Sequence, residues 1–457
     1  MEDTIAAIST AYGEGGIGII RISGEHSGQI LNKIFQAKAG GVCKPRHLTY
    51  GHIVDIYNEN KIIDEVLAAF MPGPKSYTCE DVVEISCHGS IISLRNILAL
   101  ILKCGARPAE KGEFTKRAFL NGRLDLSQAE AVMSLISAKT DKAFEVAMNQ
   151  LEGSLSARVK GIRGRILDLL VELAVNIDYP DEDIEEITYS RLEVELLQIS
   201  KSILKLLSTA STGRIIREGL AVSIIGKPNV GKSSLMNALL KETRAIVTEI
   251  PGTTRDTIEE YISIKNIPVK LTDTAGIRET DDIIEKLGIE KSKKAFNIAD
   301  LVIFVLDGSR DLTGEDMQIA EHIGKRPVIV LLNKSDLGRA LNTEQVKTLL
   351  PHSKVIETAI TEGMGIEEIE KYIEHMVYCG DVAQNESMLI TVVRHKELLE
   401  KALAAITDAI AMARGKEALD FLEIDIRNAY ELLGEIVGET VSDDIIDEIF
   451  SRFCLGK

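Results

Sequence analysis

The chain has no tryptophan, and Phe, Trp and Tyr together make up only 4% of its 457 residues. A sequence so lean in aromatics and rich in Ala, Leu, Ile and Glu leans towards helix. Cysteine is scarce and carries no pattern: Cys43, Cys79, Cys87, Cys104, Cys379 and Cys454 form no Cys-x-x-Cys pair and no metal-type spacing. That argues against a thiolate metal site and a disulfide framework, and for reduced thiols in a cytoplasmic setting. Long uncharged apolar runs are missing too; stretches such as LRNILALILKC at 94–104 suit a buried helix and are too short for a bilayer. No secretory signal opens the chain. Positive charge is in deficit, with 53 Lys and Arg against 70 Asp and Glu, a formal net charge of −17. A protein that coats nucleic acid needs cationic surface to displace counterions, so any RNA contact here has to be local or supplied by a partner. Internal repeats and low-complexity tracts are absent as well.

What is present is an ordinary globular composition, 45% apolar and 27% charged, on a chain too long for one core, so that two or three domains are expected. Residues 1–120 alternate short apolar runs with Gly and Pro turns: GGIGIIRISG (15–24), HLTYGHIVD (47–55), DEVLAAFMPGP (64–74) and EDVVEISCHG (80–89) read as strands, and SIISLRNILALILKCG (90–105) as a helix ended by Gly105. This is a small α+β domain. From about 124, apolar residues recur at three- and four-residue spacing, giving long amphipathic helices that stop near Tyr179-Pro180, then an acidic cluster at 181–187 and another helix over 190–212. From GLAVSIIG (219–226) strands and helices alternate to about 377, the pattern of a doubly wound parallel sheet; after 380 helical texture returns to the end. The economical organisation is an N-terminal domain at 1–120 and a helical domain at 121–217 and 378–457, with an α/β domain inserted at 218–377. Insertion requires the inserted domain's ends to lie close together.

GKPNVGKSS (226–234) fits the phosphate-binding loop, and it lies between a predicted strand and a predicted helix, the context that motif needs. Backbone N–H groups from Asn229 to Ser234 would face phosphates, Val230 and Gly231 shaping the loop, Lys232 reaching the β and γ oxygens, and the Ser233 hydroxyl ligating Mg²⁺. DTAG (273–276) follows the strand VKLT: Asp273 is placed to hold the metal through water and Gly276 to sense the γ-phosphate, with Thr274 and Ala275 between them. NKSD (333–336) follows VIVLL, and Asp336 can accept two hydrogen bonds from guanine N1–H and its 2-amino group, which adenine cannot offer. A buried carboxylate there discriminates strongly, with Asn333 and Lys334 bracing the pocket. Thr358, Ala359 and Ile360 sit where a base-contacting loop is expected, and TEIPGTTRD (248–256) is a candidate switch whose Thr254 would complete the Mg²⁺ shell. Read alone, that segment also suits a polar surface loop. The ordered set points to GTP.

The α/β block resembles the TrmE–Era branch of P-loop GTPases. Nearly the full chain is similar to the tRNA modification GTPases of that branch, the MnmE (TrmE) family, through GGIGIIRISG near the start, GEFTKRAFLNGRLDLSQAEAV (112–132), the inserted block and the terminal FCLGK (453–457). Ile277 stands where a Ras-like GTPase has the glutamine that holds the attacking water. The resemblance implies two replacements. One is a K⁺ ion held by Asn229, Thr248, the carbonyl of Ile250 and Thr253. The other is Glu285, acting on the water through a bridging water; Asp281 and Asp282 are its near competitors. Read alone, Asn229 is a loop-shaping residue and Glu285 an exposed helix acid.

The resemblance further implies a tetrahydrofolate site (5-formyl- or 5,10-methylene-) at Arg21, Glu84, Arg123 and Lys457, where Arg21 and Glu84 could otherwise be a plain salt bridge on paired strands. It places Cys454 near the folate, in the chemistry; a buried terminal cysteine is the other reading, while Gly456 and Lys457 do not fit a prenylation box. The implied function is modification of wobble uridine at C5 in tRNA by a homodimer with an FAD-binding partner, MnmG (GidA), in the cytoplasm, without a membrane. An Era-type ribosome-assembly switch, or a folate-binding scaffold that uses GTP only to assemble, are the alternatives.

Overall fold

Alternation of buried residues with partly exposed neighbours, clearest over Gly18–Ile22 and Val83–Cys87, builds the first sheet. In the computed structural model, which describes residues 3–11, 13–178, 189–242, 260–273, 296–338, 340–378 and 389–457, the N-terminal segment carries β1 (Ile5–Ile8), β2 (Gly15–Ser23), α1 (Ser27–Ile34), β3 (Phe35–Ala37), β4 (Leu48–Asp55), β5 (Lys61–Met71), β6 (Val82–Gly89), α2 (Ile91–Lys103), β7 (Arg107–Pro108) and α3 (Glu113–Leu120). The strands form a seven-stranded sheet in the order β3-β4-β5-β6-β2-β1-β7. On one face Ile20, Ile22, Val66 and Ile85 pack with Ile30 and Ile34 of α1 and Ile97 and Ile101 of α2. Because successive strand residues point to opposite faces, Arg21 and Glu84 belong to the other face, where Phe114 of α3 meets Ile5 and Ala7. The sequence reading finds β2, β4, β5, β6 and α2 within a few residues. It misses β1, β3 and β7, which are four residues or fewer, and α1 and α3, each of eight residues.

Two compact units emerge: Met1–Met133 with Leu151–Leu167 and Arg427–Lys457, and Ser134–Gln150 with Asp168–Ile426. In the first, the chain's end returns to the N-terminal sheet. Phe450 of the helix Asp443–Ser451 packs with Ala118 and Leu126, Leu455 bridges Lys111, and the Ser9 hydroxyl donates to the Gly456 carbonyl at 3.1 Å.

The helical stretch that follows 124 comprises α4 (Leu126–Ile136), α5 (Asp141–Leu151) and α6 (Ser154–Asp178). The acidic cluster at 181–187 lies outside the described residues. Instead of one helix over 190–212 there are two, α7 (Tyr189–Leu207) and α8 (Ala210–Glu218). The break falls at Thr209, whose hydroxyl donates to the Leu206 carbonyl and accepts from the Ile390 amide. Side chains of this type compete with helical hydrogen bonding, and here a distant backbone group stabilises the break.

The second sheet runs β13-β12-β11-β8-β10-β9, from β8 (Leu220–Ile225), β9 (Glu260–Ile264), β10 (Ile267–Asp273), β11 (Leu301–Asp307), β12 (Val328–Asn333) and β13 (Lys354–Glu357). Every pairing is parallel except β9 with β10. Parallel strands are covered on both faces and read as continuous apolar runs, as β11 and β12 do. One face packs with α9 (Lys232–Glu242) and the helix Ile366–Val377, the other with the helix Gly314–Ile323. The doubly wound architecture is therefore as the alternating pattern requires. Where the chain enters and leaves it, the Thr212 hydroxyl donates to the Val377 carbonyl at 2.9 Å. Among the described residues no helix is long and apolar enough to cross a membrane.

Candidate functional site

The loop after β8 is shaped by positions that tolerate left-handed backbone. Asn229 has φ 63° and Gly231 φ 109°, and a Cβ on Gly231 would lie 2.3 Å from the Asn333 side-chain nitrogen; only glycine leaves that approach open. Asn333, at the end of β12, uses the space. Its Nδ2 donates to the buried Val230 carbonyl at 2.8 Å, and its Oδ1 accepts from the Ile360 amide at 3.2 Å and the Thr358 hydroxyl at 3.3 Å. One side chain thus ties together the glycine-rich loop, the NKSD segment and the Thr358–Ile360 segment. Lys334, at φ 64°, turns its ammonium onto Asp307 at the end of β11, 2.7 Å away. Burial works to raise the Asp307 pKa, but hydrogen bonds from Lys334 and Ser309 hold it below the ordinary carboxylate value. Lys232 Nζ donates to the carbonyls of Gly226 and Lys227 at 2.8 and 2.7 Å.

Together these segments enclose a cavity of about 720 Å³. Pro228, Asn229, Gly231, Lys232, Ser233 and Ser234 line it from the loop and the first turn of α9, Asn333, Lys334, Asp336 and Leu337 from the second segment, and Ile360 and Thr361 from the third. Val230, Thr358 and Ala359 are buried behind the wall. Asp336, expected to be buried, is exposed, because it sits on the short turn Ser335–Leu337 at the surface. Asp273 ends β10 in register with Ile224 of β8, which puts its backbone at the same carboxyl edge of the sheet, where ligands of doubly wound folds bind. Thr248, Ile250, Thr253, Thr254, Thr274, Ala275, Gly276 and Glu285 lie outside the described residues.

A second cluster forms on the outer face of the first sheet. Arg21 and Glu84 are register partners on β2 and β6, joined at 2.8–2.9 Å through Arg21 Nη2 and Nε. The Arg21 guanidinium lies 5.1 Å from the centroid of the Tyr77 ring, and that of Arg123 lies 4.8 Å from the same centroid. Arg123 also donates to the Tyr77 carbonyl at 3.2 Å, and the Tyr77 hydroxyl meets that of Thr115 at 2.9 Å. Three of the four residues assigned to the folate are thereby brought together around one aromatic ring. Lys457 is half-buried beside Gly456, in the tail docked on β1. Cys454 is exposed, not buried, and its carbonyl accepts from the Gly112 amide at 3.3 Å.

Comparison with known proteins follows the same division of the chain. Residues 4–123 match the family model described as GTP-binding protein TrmE N-terminus, and residues 126–454 that of the MnmE helical domain. The tRNA modification GTPase MnmE of Alkaliphilus metalliredigens is 54% identical over 460 residues, covering 100% of this chain and 100% of that protein. The chain belongs to the MnmE family of tRNA modification GTPases. The Bacillus subtilis MnmE is 47% identical over 459 residues, again with 100% of both chains covered. Among solved structures, Aquifex aeolicus Era bound to GDP and aluminium fluoride is 28% identical, covering 40% of this chain and 66% of that one, with a TM-score of 0.29.

Two residues, one in each cluster, escape a reading of the motifs. Asp307 has no motif of its own; the only signal is an aspartate closing an apolar strand, LVIFVLD, at the edge where NKSD begins. Tyr77 lies in the loop after β5, and nothing local marks it as the contact that Arg21 and Arg123 share.

Proposed function

We propose that this chain works as a K⁺-assisted GTPase which, as a homodimer with an FAD-binding partner (MnmG, GidA), modifies C5 of the wobble uridine of tRNA with a one-carbon unit from 5-formyl- or 5,10-methylene-tetrahydrofolate. The product would be an aminomethyl or carboxymethylaminomethyl uridine. The observation that carries the GTP half is the single side chain of Asn333, which joins three motif segments around one cavity at the carboxyl edge of a parallel sheet. Asp336 reads guanine, Asn333 and Lys334 brace the segment that presents it, and Lys232 moves from loop carbonyls to phosphate oxygens. The Ser233 hydroxyl, at the start of α9 on the cavity wall, fits a magnesium ligand, with Thr254 as the second. Asn229, whose left-handed backbone shapes the loop and which lines the same cavity, fits a potassium ligand alongside Thr248, the Ile250 carbonyl and Thr253. The two cations would supply positive charge against the phosphates. Glu285 takes over from the absent glutamine and orients the water. GTP hydrolysis drives a conformational cycle and contributes no atom to the product.

The folate half is supported by the Arg21–Glu84–Tyr77–Arg123 cluster, which offers two guanidiniums and a carboxylate to a heterocycle with acidic tails. The short contact between Thr212 and Val377 supports a G domain at 218–377 inserted between the two helical segments. The test is the GTP hydrolysis rate in KCl and in NaCl at equal ionic strength, with Glu285→Ala beside the wild type. A rate that is high only in K⁺ and collapses in the variant is expected. Equal rates in both salts would remove the potassium site at Asn229.

A further inference from the structure

Lys227 follows Gly226 at the entry to the glycine-rich loop, but it does not line the cavity, whose wall on that side starts at Pro228. Its side chain runs instead to the helix Gly314–Ile323, which carries none of the guanine-nucleotide motifs. There the Lys227 ammonium donates to the Thr313 hydroxyl at 2.8 Å and pairs with Asp316 Oδ2 at 2.7 Å. The Asp316 side chain is 3% exposed and that of Lys227 22%, so salt and water screen the pair little. Asp316 also caps its own helix: Oδ2 accepts from the Thr313 amide at 2.9 Å and from the Thr313 hydroxyl at 2.8 Å. The cap by itself needs no charge, since a neutral amide oxygen also accepts from a backbone N–H. The charge has a cost, because Asp316 Oδ1 is buried with no hydrogen-bond partner among the described residues. Lys227 is the group that accounts for a carboxylate here.

The backbone of the same lysine meets the phosphate-binding group. Lys232 Nζ donates to the carbonyls of Lys227 and Gly226, so the entry turn is held from inside by Lys232 and from outside by Asp316. When Lys232 turns to phosphate oxygens the inner hold ends and the outer one stays. Pro228, with its fixed φ, passes the constraint on to Asn229 at φ 63°. Amides aimed in advance meet phosphate oxygens without reorganising first. The base side of the cavity is braced from the same stretch of chain, since Lys334 pairs with Asp307 at the end of β11, the strand that leads into this helix. We propose that Asp316 is a positioning residue of the GTPase: through Lys227 it fixes the entry turn of the phosphate loop, so that the loop amides keep their aim while GTP or GDP is bound. The proposal rests on the phosphate-loop reading of residues 226–234.

The test is GTP hydrolysis and binding of a fluorescent GDP analogue by the full-length protein, with Lys227→Met, Asp316→Asn, the two combined, and Lys227→Arg. Glu315→Gln, at an exposed neighbour on the same helix, is the control. The loop amides grip the nucleotide before and during the reaction alike, so the pair acts on uniform binding. Lys227→Met should raise KM for GTP and weaken GDP by roughly tenfold, and Asp316→Asn by about threefold, with kcat within about twofold of wild type. The double variant should be no weaker than Lys227→Met, because the two side chains form one contact. Lys227→Arg, which keeps the cation, should recover most of the affinity, and the control should match wild type. A lower thermal midpoint with KM and GDP affinity unmoved would make the pair a plain structural contact and overturn the proposal. Losses that add in the double variant would overturn it too, as would a Lys227→Arg no better than Lys227→Met. If Lys227→Met fails to fold, Asp316→Asn carries the test with its own expected loss, since asparagine still accepts at the helix cap. A wild type that binds neither GTP nor GDP would overturn the phosphate-loop reading itself.

Discussion

The side-chain amide of Asn333 donates to the carbonyl of Val230 at 2.8 Å, and both groups are buried. The nucleotide cavity is held in shape from behind, by a side chain reaching from one motif into the next. Asn333→Ala leaves the Val230 carbonyl, the Ile360 amide and the Thr358 hydroxyl short of a partner, and each unmet buried group costs about 1–3 kcal/mol. GTP affinity should fall by roughly a factor of ten or more, with little change in the stability of residues 3–120. Titration with a fluorescent GTP analogue checks the first expectation and hydrogen exchange the second.

Asp336 should decide base identity through its two acceptor oxygens. Asp336→Asn presents a donor where guanine offers its own donors, and it matches xanthine, which carries an acceptor in place of the 2-amino group. The variant should lose hydrolysis of GTP and recover it with XTP. Loss of GTP hydrolysis with no recovery on XTP would mean that Asp336, exposed on its turn, does not contact the base.

What could be read in the sequence was what the backbone itself demands. The loop at 226–234 needs Gly231 and Asn229 because their φ values are positive, and that demand is local. The parallel strands announce themselves because both faces are covered and the runs are continuously apolar. The break between α7 and α8 could not be read, since it depends on an amide at Ile390, 181 residues away from Thr209. Nor could the shared ring at Tyr77, because β2, the loop after β5 and the segment after α3 meet only once the sheet has its register. The roles of Asn229 and Glu285 rest on family likeness; for Asn229 the structure adds a place on the cavity wall.

Tyr77 should act on folate through its neighbours. Tyr77→Ala removes the ring that both Arg21 and Arg123 lie against; such contacts are worth about 0.5–2 kcal/mol each. Binding of 5-formyl-tetrahydrofolate, measured calorimetrically, should weaken by roughly ten- to a hundredfold, and Tyr77→Phe should restore most of it. GTP hydrolysis should be unchanged, since the ring belongs to the other compact unit. Equal folate binding in Tyr77→Ala and wild type would show that the two guanidiniums need no shared support.

Acid should test the charge cluster beneath α3. Arg117 is fully buried and pairs with Glu113 at 3.0 Å, Glu80 at 3.1 Å and Asp3 at 2.8 Å. Burial pushes the Glu113 pKa up, but hydrogen bonds from Arg107, the Glu110 amide and Arg117 bring it below its ordinary value. A carboxylate whose pKa is depressed in the fold contributes stability at pH values above its unfolded pKa, and that contribution is lost as pH falls through the folded value. The N-terminal unit of the wild type should therefore weaken steadily below about pH 4.5. Arg117→Met should shrink this acid dependence. With the guanidinium gone, Glu80 and Glu113 are left under-compensated in the interior, at a cost of about 3–5 kcal/mol at neutral pH. Arg107 and the Glu110 amide still hold Glu113, so without Arg117 its pKa moves up towards the ordinary value and less stability is lost on acidification. Hydrogen exchange of peptides from residues 3–120, followed from pH 7 to pH 4 with rates corrected for intrinsic pH dependence, separates the two cases. Protection should fall with acid in the wild type and fall less steeply in the variant; parallel decline in both would mean that Arg117 does not set the charge state of Glu113.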